Sequence, residues 1–245
     1  MTDKIYGVSQ IMKNIIHQFP IPSLLESPSF PNLLSQLSSF AVMCISSNHA
    51  LQDESTLMAA ADEFMCVWAN LIEKLEFYQA SIPAELAQVL AFLSGQIVNC
   101  YITMRMVPDT QEQDCEVEGE SKDCETFKSQ LIHIAILARL SAYQVLLYLR
   151  QHIDVKLDRL GVLFASRLQS KEITAIQEQL HWLILIIGHV LCDASEGEVP
   201  LIPNQLLQLR ADTNGENLIV SISLRLIQIL DILNFSTDSF EVPPF

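Results

Sequence analysis

Glycine is scarce in this chain, with 7 in 245 residues. A sheet protein of that length reverses direction many times and draws on glycine at its tight turns. The shortage, together with the lack of any sustained apolar–polar alternation, argues against a sheet-based fold. Cations are few as well: Lys plus Arg number 14 against 29 Asp plus Glu, a formal charge of −15. Such a surface repels phosphate and disfavours nucleic acid as a partner. It favours basic proteins and speeds encounter with them, although solubility alone also accounts for it. The six cysteines show no C-x-x-C, and Cys115 and Cys124 lack zinc-type spacing. The opening MTDKIYGVSQ has no signal pattern. The thiols therefore read as reduced, most of them small core residues within helices, in a nuclear or cytosolic setting. No phosphate-binding loop, dinucleotide fingerprint, G-x-S-x-G or H-E-x-x-H occurs. The sequence nominates no catalytic, cofactor-binding or metal-binding residue, and the expectation is a protein that is not an enzyme.

What the chain does have is apolar residue spacing. Half of its residues are hydrophobic. Leu57, Ala61, Phe64, Met65, Trp68, Leu71, Ile72 and Leu75 recur at threes and fours, one stripe of an amphipathic helix. The same pattern predicts helices over about 6–19, 32–47, 54–79, 83–106, 126–141, 143–169, 171–192 and 216–234, with a turn near 203–209. Pro83 falls where a first-turn proline belongs. The four prolines of PIPSLLESPSFP predict a loop over 20–31. Helix pairs recur every 40–47 residues or so, the spacing of HEAT-type units. The expected fold is all-α, an α-solenoid of antiparallel helix pairs in one domain over 1–245, with an irregular helical bundle as the alternative.

Residues 108–125 break the pattern. Asp109, Glu112, Asp114, Glu116, Glu118, Glu120, Asp123 and Glu125 face a single Lys122. A stretch so polar, self-repelling and free of aromatics predicts a disordered acidic loop. Glu112, Asp114, Glu116, Glu118 and Glu120 are the candidate protein-binding residues. A solvated spacer is the plainer reading of the same composition.

The most distinctive stretch is 180–203, LHWLILIIGHVLCDASEGEVPLIP. From Trp182 to Cys192 the apolar run is 11 residues long and is interrupted by His189. A membrane span needs about 20, so membrane insertion is not expected. Glu178 and His181 form an E-x-x-H pair, but His17, His49, His133, His152 and His189 all lack an acid three residues earlier. Without a second such motif a carboxylate-bridged metal site cannot be assembled. The expectation is a central helix covered on several sides, with Gly188 admitting a close neighbour, Asp193, Ser195 and Gly197 ending the helix, and 198–203 extended through its prolines.

Leu180, His181, Trp182, the aliphatic run, Gly188, Asp193, Gly197, Glu198, Pro200, Leu201, Ile202 and Pro203 together resemble a segment of exportin-type nuclear transport receptors, in the importin-β (karyopherin) superfamily. The resemblance covers about 126–210, with Leu137, Arg139, Arg167 and Leu168 at matching places, and extends more thinly through Trp68–Glu76. Ala194 stands where the family carries an acid. The resemblance implies a HEAT- or armadillo-type superhelix that binds protein cargo and the GTPase Ran, touches the Phe-Gly repeats of nuclear pores, and shuttles between nucleus and cytoplasm. Such receptors are several times longer, so the resemblance also implies an internal piece or truncated relative. An internal slice would have apolar end faces, weak self-association and poor Ran binding. The alternative is a helical-repeat scaffold for protein–protein interaction without transport activity.

Overall fold

The computed structural model describes residues 2–47, 54–107, 123–165, 171–192, 201–207, 209 and 217–238. Among them every regular element is helical: α1 (Thr2–Gln18), α2 (Ile21–Leu25), α3 (Phe30–Ser47), α4 (Glu54–Glu76), α5 (Ala84–Arg105), α6 (Asp123–Thr126), α7 (Lys128–Arg139), α8 (Ala142–Ala165), α9 (Lys171–Leu191), α10 (Asn204–Leu207) and α11 (Leu218–Asp238), plus a 3₁₀ turn at Gln79–Ser81. The apolar spacing of the sequence becomes one continuous buried core through most of these helices. Trp68, Phe64, Ile16, Leu34, Leu37, Met65 and Leu71 are among its largest fully enclosed side chains.

The helices pack in a regular order. α1 packs on α4, α4 on α7, and α7 on α9. Beside them α3 packs on α5, and α8 on α11. Side-chain contacts give the directions. Lys13 bonds Glu63 while Lys74 reaches the carbonyls of Ile16 and His17, so α1 and α4 run parallel. Phe127 meets Trp182 and Arg139 meets Val190, so α7 and α9 run parallel too. In the second row Ser38 reaches Leu93 and Cys100 reaches Val42. Arg150 reaches Ser221 and Asp154 pairs with Arg225. These contacts make α3 parallel to α5 and α8 parallel to α11. The rows are joined by α3 on α4, α5 on α7 and α8 on α9. Where α4 and α5 meet, the Trp68 indole N–H donates to the buried Ser94 hydroxyl at 2.6 Å.

Three local readings differ from expectation. The proline-rich 20–31 stretch holds the short helix α2, because Pro22 sits in its first turn, where a missing N–H breaks no bond. Ile21 and Leu24 of α2 are buried. Gly188 admits no close neighbour: it is exposed, and a Cβ there would meet nothing within 4 Å. Cysteines divide by position, Cys44 fully buried, Cys66, Cys100 and Cys124 half-buried and Cys192 exposed.

The two outer faces differ. On α1 the exposed line Lys4, Gly7, Ile11, Asn14 and Gln18 carries one large apolar side chain, Ile11, with Tyr6 exposed beside it. On α11 Val220, Leu224 and Ile227 are exposed, beside a groove of about 300 Å³. One described helix, α5, is long and apolar enough to cross a membrane, and 44% of its apolar window is buried inside the protein.

Candidate protein-binding site

Glu112, Asp114, Glu116, Glu118 and Glu120 lie outside the described residues, as does all of 108–122. The end of the acidic stretch is not loop: Asp123, Cys124 and Glu125 belong to α6. The residues on either side of it are held by a compact polar and aromatic junction joining α4, α5, α7 and α9.

Arg105, in the last turn of α5, is the centre of that junction. Its guanidinium lies 4.0 Å from the Phe127 ring centroid, 4.2 Å from that of Trp182 and 5.1 Å from that of Tyr101. A cation over ring faces in a partly dry site is stabilised by the ring quadrupoles. Phe127 and Trp182 meet edge to face at 5.2 Å, which keeps both within reach of the cation. Arg105 also donates to the Gln130 side-chain carbonyl at 2.8 Å, and the Tyr101 hydroxyl shares that acceptor at 3.2 Å. The Gln130 amide donates onward to Asp62 at 2.6 Å. A chain of polar groups thus runs from α5 through α7 to α4, with its buried members hydrogen-bonded as the dry interior requires.

Two further bonds fix the approach to the acidic stretch. The buried Gln179 amide of α9 donates to the Met106 carbonyl at 2.6 Å, just past the end of α5. His181 Nε2 lies 3.1 Å from the Asp123 carboxylate, at the start of α6. His181 also meets the Trp182 ring edge to face at 6.0 Å. Among the described residues no group of three or more His, Cys, Asp or Glu could hold a metal.

Electrostatics at the junction oppose one another. Burial pushes the Asp62 carboxyl above its usual range, while the Gln130 bond and the Arg105 charge pull it back. Burial pushes the Cys44 thiol up to about 11, far from thiolate chemistry. The half-buried His133 is held below the ordinary imidazole range by burial, offset in part by Glu63.

Sequence reasoning placed the acidic stretch but missed Arg105. The only local sign was Tyr101 one helical turn before it. Gln130, Phe127 and Trp182 are remote in sequence, and only packing brings them to one point. What the junction can do chemically is hold: it fixes the two stems of an acidic segment against the helix core. Comparison of the chain with models of known protein families finds no match.

Proposed function

We propose that this chain is a non-catalytic binding scaffold, a solenoid-type stack of helix pairs that forms part of a nuclear transport receptor and binds basic protein partners. One observation supports the scaffold reading: α1 and α4, α7 and α9, α3 and α5, and α8 and α11 pack as parallel neighbours, as helices of a stacked array would. The charge of −15 and the anchored acidic segment supply complementarity to basic cargo. The transport role rests on the resemblance at 180–203 and 126–210. On that reading the partners are basic cargo, Ran and Phe-Gly repeats, and the protein shuttles between nucleus and cytoplasm. A helical-repeat scaffold without transport activity is the second reading, favoured by the fact that row packing and an acidic surface serve protein binding of any kind.

Surface-immobilised chain, challenged with a basic cargo and with Ran in its GTP and GDP forms, tests both. Cargo should bind, with an association rate that falls steeply with salt. Replacing Glu112, Glu116, Glu118 and Glu120 by Gln and Asp114 by Asn should slow association roughly tenfold. Ran-GTP should bind this chain weakly, and in a longer polypeptide containing it Ran-GTP but not Ran-GDP should change cargo affinity. Cargo binding in the longer polypeptide that ignores the nucleotide ends the transport reading and leaves the scaffold. No cargo binding at low salt ends both.

A further inference from the structure

The edge opposite the Arg105 junction carries a second surface. There the C-terminal ends of α1 and α4 lie side by side, because Lys74 Nζ donates to the Ile16 carbonyl at 2.9 Å and to that of His17 at 3.3 Å. The segment 201–207 reaches the same place: the Gln205 amide donates to Glu76 at 2.7 Å, across 129 residues of sequence. This segment is rooted by Pro203 and Leu206, both buried. Its other apolar side chains, Leu201, Ile202 and Leu207, face outward, and so do Phe19 just past α1 and Phe77 just past α4. Phe77 is 88% exposed, the most of any large apolar side chain among the described residues. Exposed apolar groups brought to one edge are the kind of surface that protein interaction sites use.

The charge around this ledge selects its occupant. Glu73 and Glu76, one turn apart, are both exposed. Partial burial, and after it the neighbouring Glu76, push the Glu73 carboxyl upward. Lys74, the nearest cation in sequence, is turned away onto the α1 carbonyls. A second copy of this chain, itself at −15, has the wrong sign for the ledge, and so does an anionic membrane. We propose that the ledge formed by Phe19, Phe77, Leu201, Ile202 and Leu207 docks a basic amphipathic segment of a partner protein, its apolar side on the aromatic and aliphatic groups and its cations on Glu73 and Glu76. This deepens the scaffold reading and rests on it. Apolar anchors supply the affinity and the flanking acids set orientation and partner choice.

The probe is a synthetic helical peptide with Leu at one face and Lys flanking it, titrated calorimetrically into the intact chain. A matched peptide with Glu for Lys, and neutral and anionic vesicles, serve as comparisons. The Lys peptide should bind, and Phe77→Ser with Ile202→Ser should weaken it about tenfold or more. Both residues are exposed, so the variant should retain the helical circular dichroism of the parent. Glu73→Lys leaves the apolar groups in place and should weaken the Lys peptide while improving the Glu peptide. Neutralising the five candidate acids of 112–120 should leave peptide affinity within about twofold. Equal binding of the two peptides, equal binding by parent and Glu73→Lys, or capture by anionic vesicles as strong as by the Lys peptide would each overturn the proposal. If basic partners bind the chain through 112–120 and ignore every ledge variant, the ledge fails while the scaffold reading stands.

Discussion

Arg105 makes three ring contacts and one short hydrogen bond from the end of a single helix. Arg105→Ala should cost about 3 kcal/mol in urea unfolding, from lost cation–π attraction and the charge-assisted bond to Gln130. Arg105→Lys should recover less than half of that, because an ammonium has no flat face to lay on Phe127 and Trp182. Equal stability of parent and Arg105→Ala would show the stack to be passive. Histidines give the pH dependence. Burial lowers the pKa of His133, and burial with Lys156 lowers that of His152. The unfolded chain therefore takes up protons first as pH falls through about 6.5. Their contribution to stability is full above that pH and is lost as pH drops toward the folded values. His133→Gln with His152→Gln should flatten the decline of melting temperature with acidification below about pH 6.5. At this scale the sequence showed Tyr101 one helical turn before Arg105 but gave no sign of the junction they join. It was silent where four helices must first be assembled.

At the scale of elements, helix ends are the informative places. Arg139 of α7 reaches across to the last turn of α9, donating to the carbonyls of His189 at 2.7 Å, Cys192 at 3.0 Å and Val190 at 3.2 Å. These carbonyls lie at the C-terminal end of α9, and a cation beside them opposes the negative end of the helix dipole. Lys74 does the same for α1. Arg139→Ala should fray the end of α9, raising amide exchange over 188–192 and lowering stability by about 1–2 kcal/mol. Unchanged exchange there would assign the carbonyls another partner. Helix existence was readable from apolar spacing: 54–79 was expected where α4 is Glu54–Glu76, and 171–192 where α9 is Lys171–Leu191. Helix α2 was not readable, since four prolines signalled a loop more strongly than Ile21 and Leu24 signalled a buried turn. Gly188 was misread because the apolar run around it suggested contact on every side, while in the fold Gly188 and His181 lie on the exposed strip of α9.

For the whole molecule, the order of packing matters more than any one helix. α11 packs chiefly on α8 and α9, remote from α1 and α4. Ile222 and Ile229, both fully buried, are its main anchors. Replacing both by Ala should cost about 2–4 kcal/mol each at that end. Amide exchange should rise through α11 while protection in α1 and α4 stays as it was. Uniform loosening of the whole chain would instead show a single closed cooperative unit. The all-helical class was legible from scarce glycine and helical periodicity. Which helices become parallel neighbours was not, because contacts such as Lys13 with Glu63 join residues fifty positions apart.

The two tryptophans sit at separate joints. Trp68 is sealed between α4 and α5 with its N–H on Ser94, and Trp182 lies under a guanidinium between α7 and α9. The chain thereby carries its own pair of optical gauges, one indole in a dry pocket and one beneath a positive charge, and their separate emission can tell which joint opens first.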